Sequence, residues 1–263
     1  MVRWGRSVSR TVTDGSAPAG KLRAAQLGLT RLLLRDMGML RRLIIPTRLG
    51  TSIPAWIQAV SVLVDQYGAS SASLAADYYE AERVAAHVTG TFTVPLLPTP
   101  PTEQVENSLR WATKDLWPRD PDDPKTTAAQ KLPIEQRLDA AAKKADGVAQ
   151  KLVTDQGRGT IQAATRQDQQ AVGWARSASL GACAFCKMLA ARGNVYQADT
   201  VRFRAHDGCH CGAVPVFRGQ TFELSPHAQE WARLYQEYAA SHSGQQLNRF
   251  RQALADHGHL PTS

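Results

Sequence analysis

The chain has 263 residues, 43% apolar and 21% charged, which allows a sizeable buried core and excludes a disordered or collagen-like protein. Its net charge of +8 is confined to residues 1–50, where ten basic residues face Asp14 and Asp36, while the remainder carries 21 of each sign. Such segregation implies a polyanionic partner: nucleic acid, a membrane surface or an acidic protein.

Residues 1–20 have no periodicity and no apolar stretch of the secretory kind, so a flexible basic arm is expected there. From 21 to about 45 apolar residues recur at three- and four-residue steps (Leu22, Ala25, Leu29, Leu33, Met37, Leu40). That spacing predicts an amphipathic helix, which Pro46 closes. A second helix is predicted over 54–67, a break at Gly68, and a third helix over 71–87. The most apolar run, 53–64, is interrupted by Pro54, Gln58 and Ser61 and is too short to span a bilayer. Residues 88–101, with four prolines, read as a short extended segment and a stiff connector. A helix over 103–116 then completes a helical amino-terminal domain, 21–117. The proline- and charge-dense stretch 118–127 reads as a linker into a second domain, 128–263. There, helices are predicted over 134–155, ending near Gly157 and Gly159, and over 160–171. A β-prone module follows over 174–217, and helices close the chain over 226–240 and 245–257. The predicted class is α+β, mainly α, with a helical amino-terminal half and a small zinc-stapled, β-containing module near the carboxyl terminus.

All four cysteines fall in that module. Cys183 and Cys186 form a C-x2-C pair of the kind that grips one side of a tetrahedral ion, and Cys209 and Cys211 form a C-x-C pair after a 22-residue gap. His206 lies three residues before Cys209. Four cysteines in two tight pairs point to a metal, expected to be structural zinc, in a reducing compartment rather than to disulfides. Cys183 and Cys186 are expected ligands; two of His206, Cys209 and Cys211 complete the set. His210, between the last two cysteines, points the other way if the segment is extended.

The order W-A-R, A-C-A-F-C-x2-L, R-G-x-V-Y, F-x-A-H-D-x-C-x-C, V-P-V-F resembles the head-morphogenesis domain of MuF-like minor capsid proteins of tailed bacteriophages, closest to those of phages of actinobacteria. The matching residues are Trp174, Arg176, Cys183, Cys186, Leu189, Tyr196, His206, Cys209, Cys211 and Pro215. The stretch 67–86 is similar to the helical amino-terminal half of those proteins. Many family members have Arg where this chain has His210. The resemblance implies a low-copy, non-enzymatic virion protein made in the host cytoplasm and held in the capsid interior, acting in head assembly or genome delivery. Its implied partners are the portal protein or the major capsid protein, and packaged double-stranded DNA bound without sequence readout.

Arg3, Arg6, Arg10, Lys21, Arg23, Arg31, Arg35, Arg41 and Arg42 are the candidate contacts for DNA or a protein partner. Two other classes compete. A zinc-stapled nuclease would use His206 and Asp207 and needs a downstream Asn and His, for which Asn248 and His227 are poorly spaced. A stand-alone nucleic-acid-binding protein needs no virion partner. No catalytic residue is assigned.

Overall fold

A computed structural model describes residues 10–120, 122–193, 195–197, 209 and 211–260. The chain is mainly helical with two small sheets: β1 (Arg10–Thr13), α1 (Ala17–Leu40), α2 (Leu49–Ala85), α3 (Thr102–Thr113), α4 (Ile134–Gln167), β2 (Ala171–Ser177), α5 (Ala184–Ala191), β3 (Val195–Tyr196), β4 (Gly212–Phe217), β5 (Gln220–Glu223), α6 (Pro226–Tyr238) and α7 (Gln246–Asp256). No helix among the described residues is long and apolar enough to cross a membrane.

The expected arm over 1–20 is structured from Arg10. Its strand β1 pairs in parallel with β5, Val12 opposite Phe222. Ser16 caps α1 by accepting from the Ala19 amide at 3.2 Å, so the helix opens at Ala17 and not at Lys21. The same hydroxyl donates to Glu82 of α2, whose carboxyl is pushed up by burial although this bond and one from Tyr78 oppose the shift. Asp14, buried, accepts from the Ser225 amide at 2.7 Å and the Ser225 hydroxyl at 3.0 Å where α6 begins. The segment before α1 is thereby tied to the start of α6.

Each long helix runs through glycines where a break was expected. The reason is tertiary. A Cβ on Gly68 would sit 3.1 Å from Gln156 Cγ of α4, and one on Gly157 would sit 2.8 Å from Ser71 Oγ of α2. The two helices cross at these reciprocal glycines. Gly159 admits the connector: Leu97 lies over it, and the Leu97 amide donates to Thr160 Oγ1 at 3.1 Å. A glycine weakens a helix interior by roughly 1 kcal/mol relative to alanine, which close packing of this kind offsets. So α2 replaces two predicted helices, and α4 replaces the predicted pair over 134–155 and 160–171. The connector itself, 88–101, forms no strand.

The stretch 118–127 is a turn-rich connection, with Asp120 and Asp123 side chains accepting from amides two residues on. It does not separate two cores. Leu33, Trp56, Val60, Leu109 and Leu116 on one side pack in a single cluster with Ala145, Val148 and Leu152 on the other. A second cluster surrounds the cysteines with Trp231, Leu234 and Phe250. A third, with Tyr78, Tyr79, Ile161, Trp174 and Phe217, joins the helices to the sheet β3-β2-β4.

At that joint Arg83 of α2 forms a buried ion pair with Asp168 at the end of α4, to which Tyr79 also donates at 3.2 Å. Burial together with the Asp168 charge holds the Tyr79 hydroxyl far above its usual range. Asp168→Ala leaves the guanidinium buried without its counter-charge. The expected loss is about 3–5 kcal/mol of stability, read as a lowered urea midpoint with an unchanged slope.

Candidate metal centre

Helix α5 begins immediately after Cys183, whose extended backbone (φ −69°, ψ 164°) occupies the cap position, and Cys186 follows within the first turn. The C-x2-C spacing therefore places both thiols at one helix end. Cys186 is buried, and Cys183 is half-buried with its thiol against that of Cys186. Cys209 and Cys211 lead into β4. Both thiols are buried.

The two pairs meet. Cys186 Sγ lies 3.3 Å from Cys209 Sγ and 3.3 Å from Cys211 Sγ, and the last two are 2.6 Å apart. All exceed the roughly 2.05 Å of a disulfide. Three sulfurs converging this closely, all within 4.8 Å of one another, form a group able to hold a metal ion. Tetrahedral Zn–S bonds of about 2.3 Å separate their sulfurs by about 3.8 Å, so the Cys186 sides would open slightly from 3.3 Å and the Cys209–Cys211 side by more, from 2.6 Å. Proton sharing has the same origin. The Cys209 thiol is held far below its usual range because Cys186 and Cys211 donate to it and Arg158 lies nearby. Cys186, surrounded by Cys183, Cys209 and Cys211, is pushed up. A cation would take the place of those shared protons.

Of the expected ligands, Cys186, Cys209 and Cys211 are brought together and Cys183 adjoins them. His206 lies outside the described residues, as do His210 and Asp207. Among the described residues the group contains no histidine or carboxylate.

What the sequence did not reveal is the shell around the sulfurs. Arg158 of α4, buried, donates through Nε to the Cys211 carbonyl at 2.9 Å and through Nη2 to the Cys209 carbonyl. Its Nη1 donates to Asp155 at 2.7 Å and to Thr154 at 3.0 Å. One guanidinium thus holds the backbone carbonyls of both cysteines of the C-x-C pair. Arg176 of β2, also buried, points Nη1 at Cys211 Sγ at 3.4 Å. Lys187, fully buried, donates to the His259 carbonyl and sits 5.2 Å from the Trp231 ring centre. Burial pulls its pKa down, and the nearby Cys183 resists that fall. Three buried cations beside four thiols are costly around neutral sulfur and well matched to a thiolate-rich centre of net negative charge. A signal was present in the sequence: Arg158 is flanked by Gly157 and Gly159 inside an otherwise ordinary helix.

The basic candidates divide by role. Arg10 donates to the Ala86 carbonyl at 2.9 Å, and Arg23 to the Asp14 carbonyl at 3.2 Å and Ser177 Oγ at 3.1 Å, so both brace the fold. Arg41 pairs with Asp146 at 2.6 Å and Arg35 with Asp36 at 2.9 Å. Lys21, Arg31, Arg35, Arg41 and Arg42 are exposed along and just beyond α1. Arg3 and Arg6 fall outside the described residues.

Residues 15–238 match the model of the VG15 protein family. The chain belongs to this phage-associated family, and the matched span runs from the start of α1 through the cysteine cluster to the end of α6. No curated protein and no solved structure matches it.

The clamp gives a direct test. Arg158→Lys keeps the charge and loses the forked contact with the two carbonyls. Metal affinity is expected to fall by about 10–100-fold, the usual effect of losing an orienting group behind the ligands. Competition with a chromophoric chelator measures this, and far-ultraviolet circular dichroism should stay unchanged.

Proposed function

We propose that the chain is a low-copy structural protein of the phage virion, of the MuF-like minor capsid type, and that its cysteine cluster is a closed zinc staple. The observation that carries the first part is the family match over residues 15–238, which takes in both the basic helix and the cysteine cluster. The second part is supported by the composition of the site. Cys183, Cys186, Cys209 and Cys211 can supply four thiolates, the donor set of structural zinc sites. Arg158, Arg176 and Lys187 offset the charge those thiolates carry.

Zinc held there would bind α5 to the start of β4, two segments separated by 20 residues of sequence. A structural role is favoured over an enzymatic one because the ligand candidates among the described residues are all cysteine, with buried cations beside them, and include no carboxylate or imidazole of the kind that metal-assisted hydrolysis employs. The module has a mechanical role in this reading. It gives the carboxyl-terminal half a fixed shape and leaves the basic face of α1 turned outward toward the portal protein, the major capsid protein or packaged DNA. Neutralising phosphate needs no base readout.

Purified protein is expected to carry about one zinc per chain. Cys186→Ser should lose that zinc and make the part of the chain beyond α4 protease-sensitive, as read by elemental analysis and limited proteolysis. A Cys186→Ser chain that stays as resistant as the parent would sink the staple. For the virion assignment, mass spectrometry of gradient-purified particles of the encoding phage should find the chain at far fewer copies than the major capsid protein. Its absence from particles, or divalent-ion-dependent DNA cleavage by the purified chain, would overturn the reading.

A further inference from the structure

Helix α1 buries one face and leaves the opposite one open in an unusual way. Ala19, Thr30, Leu33 and Met37 are buried against the rest of the molecule. On the far side Leu32 is 45% exposed and Met39 is 52% exposed, and Leu43, just past the helix end, is 39% exposed. The seven-residue spacing puts Leu32 and Met39 on one line of α1, and Leu43 follows in the 3-10 turn of residues 41–43. Arg31, Arg35 and Arg42 stand beside that line, all exposed. Arg31 and Arg42 make no ion pair among the described residues, and the carboxylate facing Arg35 is its own neighbour Asp36.

Gly28 continues the line one turn before Leu32, and a Cβ there would meet nothing within 4 Å. Unlike Gly68 and Gly157, this glycine relieves no contact inside the molecule. A glycine in that position weakens the helix and gives in exchange a backbone that another surface can approach closely.

The geometry points to this face as a docking site for an acidic amphipathic helix of a partner protein. The argument is one of complementarity. Duplex DNA satisfies the arginines and leaves the leucine and methionine row with no apolar counterpart. A second copy of this chain covers the row and sets arginine against arginine. An acidic helix with its own apolar stripe meets both requirements, with its stripe on Leu32, Met39 and Leu43 and its carboxylates on Arg31, Arg35 and Arg42. The inference sharpens the virion reading, on which it rests for the existence of an assembly partner, by choosing protein over DNA for this face.

The test uses the full chain and three probes: a synthetic helix with leucines at three- and four-residue steps flanked by glutamates, a scrambled peptide of the same composition, and a short DNA duplex. Calorimetry should detect binding of the amphipathic peptide but not of the scrambled one. The double substitution Leu32→Ser with Met39→Ser should weaken that binding by at least about tenfold, the value of two buried apolar side chains being ample for this. Both side chains are about half exposed and serine is a weaker helix former, so the variant should keep the parent's circular dichroism with a modestly lowered melting temperature, and its affinity for the duplex should be unchanged. The inference is overturned if the amphipathic peptide does not bind, if the scrambled peptide binds equally, if added anionic phospholipid vesicles bind the parent chain and displace the peptide, or if the duplex displaces the peptide and the serine variant binds it as well as the parent does. These are solution measurements, so they can fail while the chain is still found in particles, and particle analysis can fail while they succeed.

Discussion

The arrangement of the molecule depends on one side chain reaching from the helical half into the sheet. Arg158 lies on α4, a helix of 34 residues and so about 50 Å long, which contributes to the apolar core of the amino-terminal half and to the joint with the sheet. Its guanidinium is committed to the carbonyls of Cys209 and Cys211, to Thr154 and to Asp155. A charge buried this deeply is tolerable where its donors are occupied. Cys209 and Cys211 supply their carbonyls, and α4 supplies the rest. The position of Cys209 and Cys211 is thus set by a helix residue 51 and 53 positions upstream of them.

The glycines on either side of Arg158 belong to the same constraint. Gly157 lets α4 lie against Ser71 of α2, and Gly159 lets Leu97 cross over it. With larger residues at those places α4 would stand away from α2 and from the connector, and the guanidinium would move with it. The buried Arg83–Asp168 pair fixes the far end of the same helix to the end of α2. Between them these contacts hold α4 at two points along its carboxyl-terminal half, the half that faces the sheet. The cysteine cluster is therefore the last layer of a structure whose alignment is decided farther back in the chain.

Much of this was legible in the sequence, and what was not has a physical reason. The apolar periodicity of Leu29, Leu33, Met37 and Leu40 marks a helix that exists, and the spacing of the two cysteine pairs marks sulfurs that converge. The breaks placed at Gly68, Gly157 and Gly159 are absent because glycine carries two messages. It signals a break where the chain must turn and a close approach where two helices must touch, and composition alone does not separate them. The strand β1 was hidden because its four residues, RTVT, gain their order from pairing with β5, more than 200 residues away. The separation into two domains at 118–127 followed from local turn chemistry that is present, whereas the packing of Leu109 and Leu116 against Val148 is a property of neither segment by itself.

The charge distribution takes a different meaning once the fold is known. Read along the chain, the basic excess is one block. In the structure it separates into arginines that build and arginines that wait. Arg10 and Arg23 spend their donors on carbonyls of the fold, beside Asp14 and its hold on α6. Arg31, Arg35 and Arg42 are carried outward on the same helix, along a row of exposed apolar side chains. A patch meant for solubility alone has no use for Leu32 and Met39 at its centre, and one meant for phosphate alone has none either. Helix α1, which follows directly on the Asp14–Ser225 tie, therefore carries buried Leu33 and Met37 on one side and exposed Leu32, Met39 and arginines on the other.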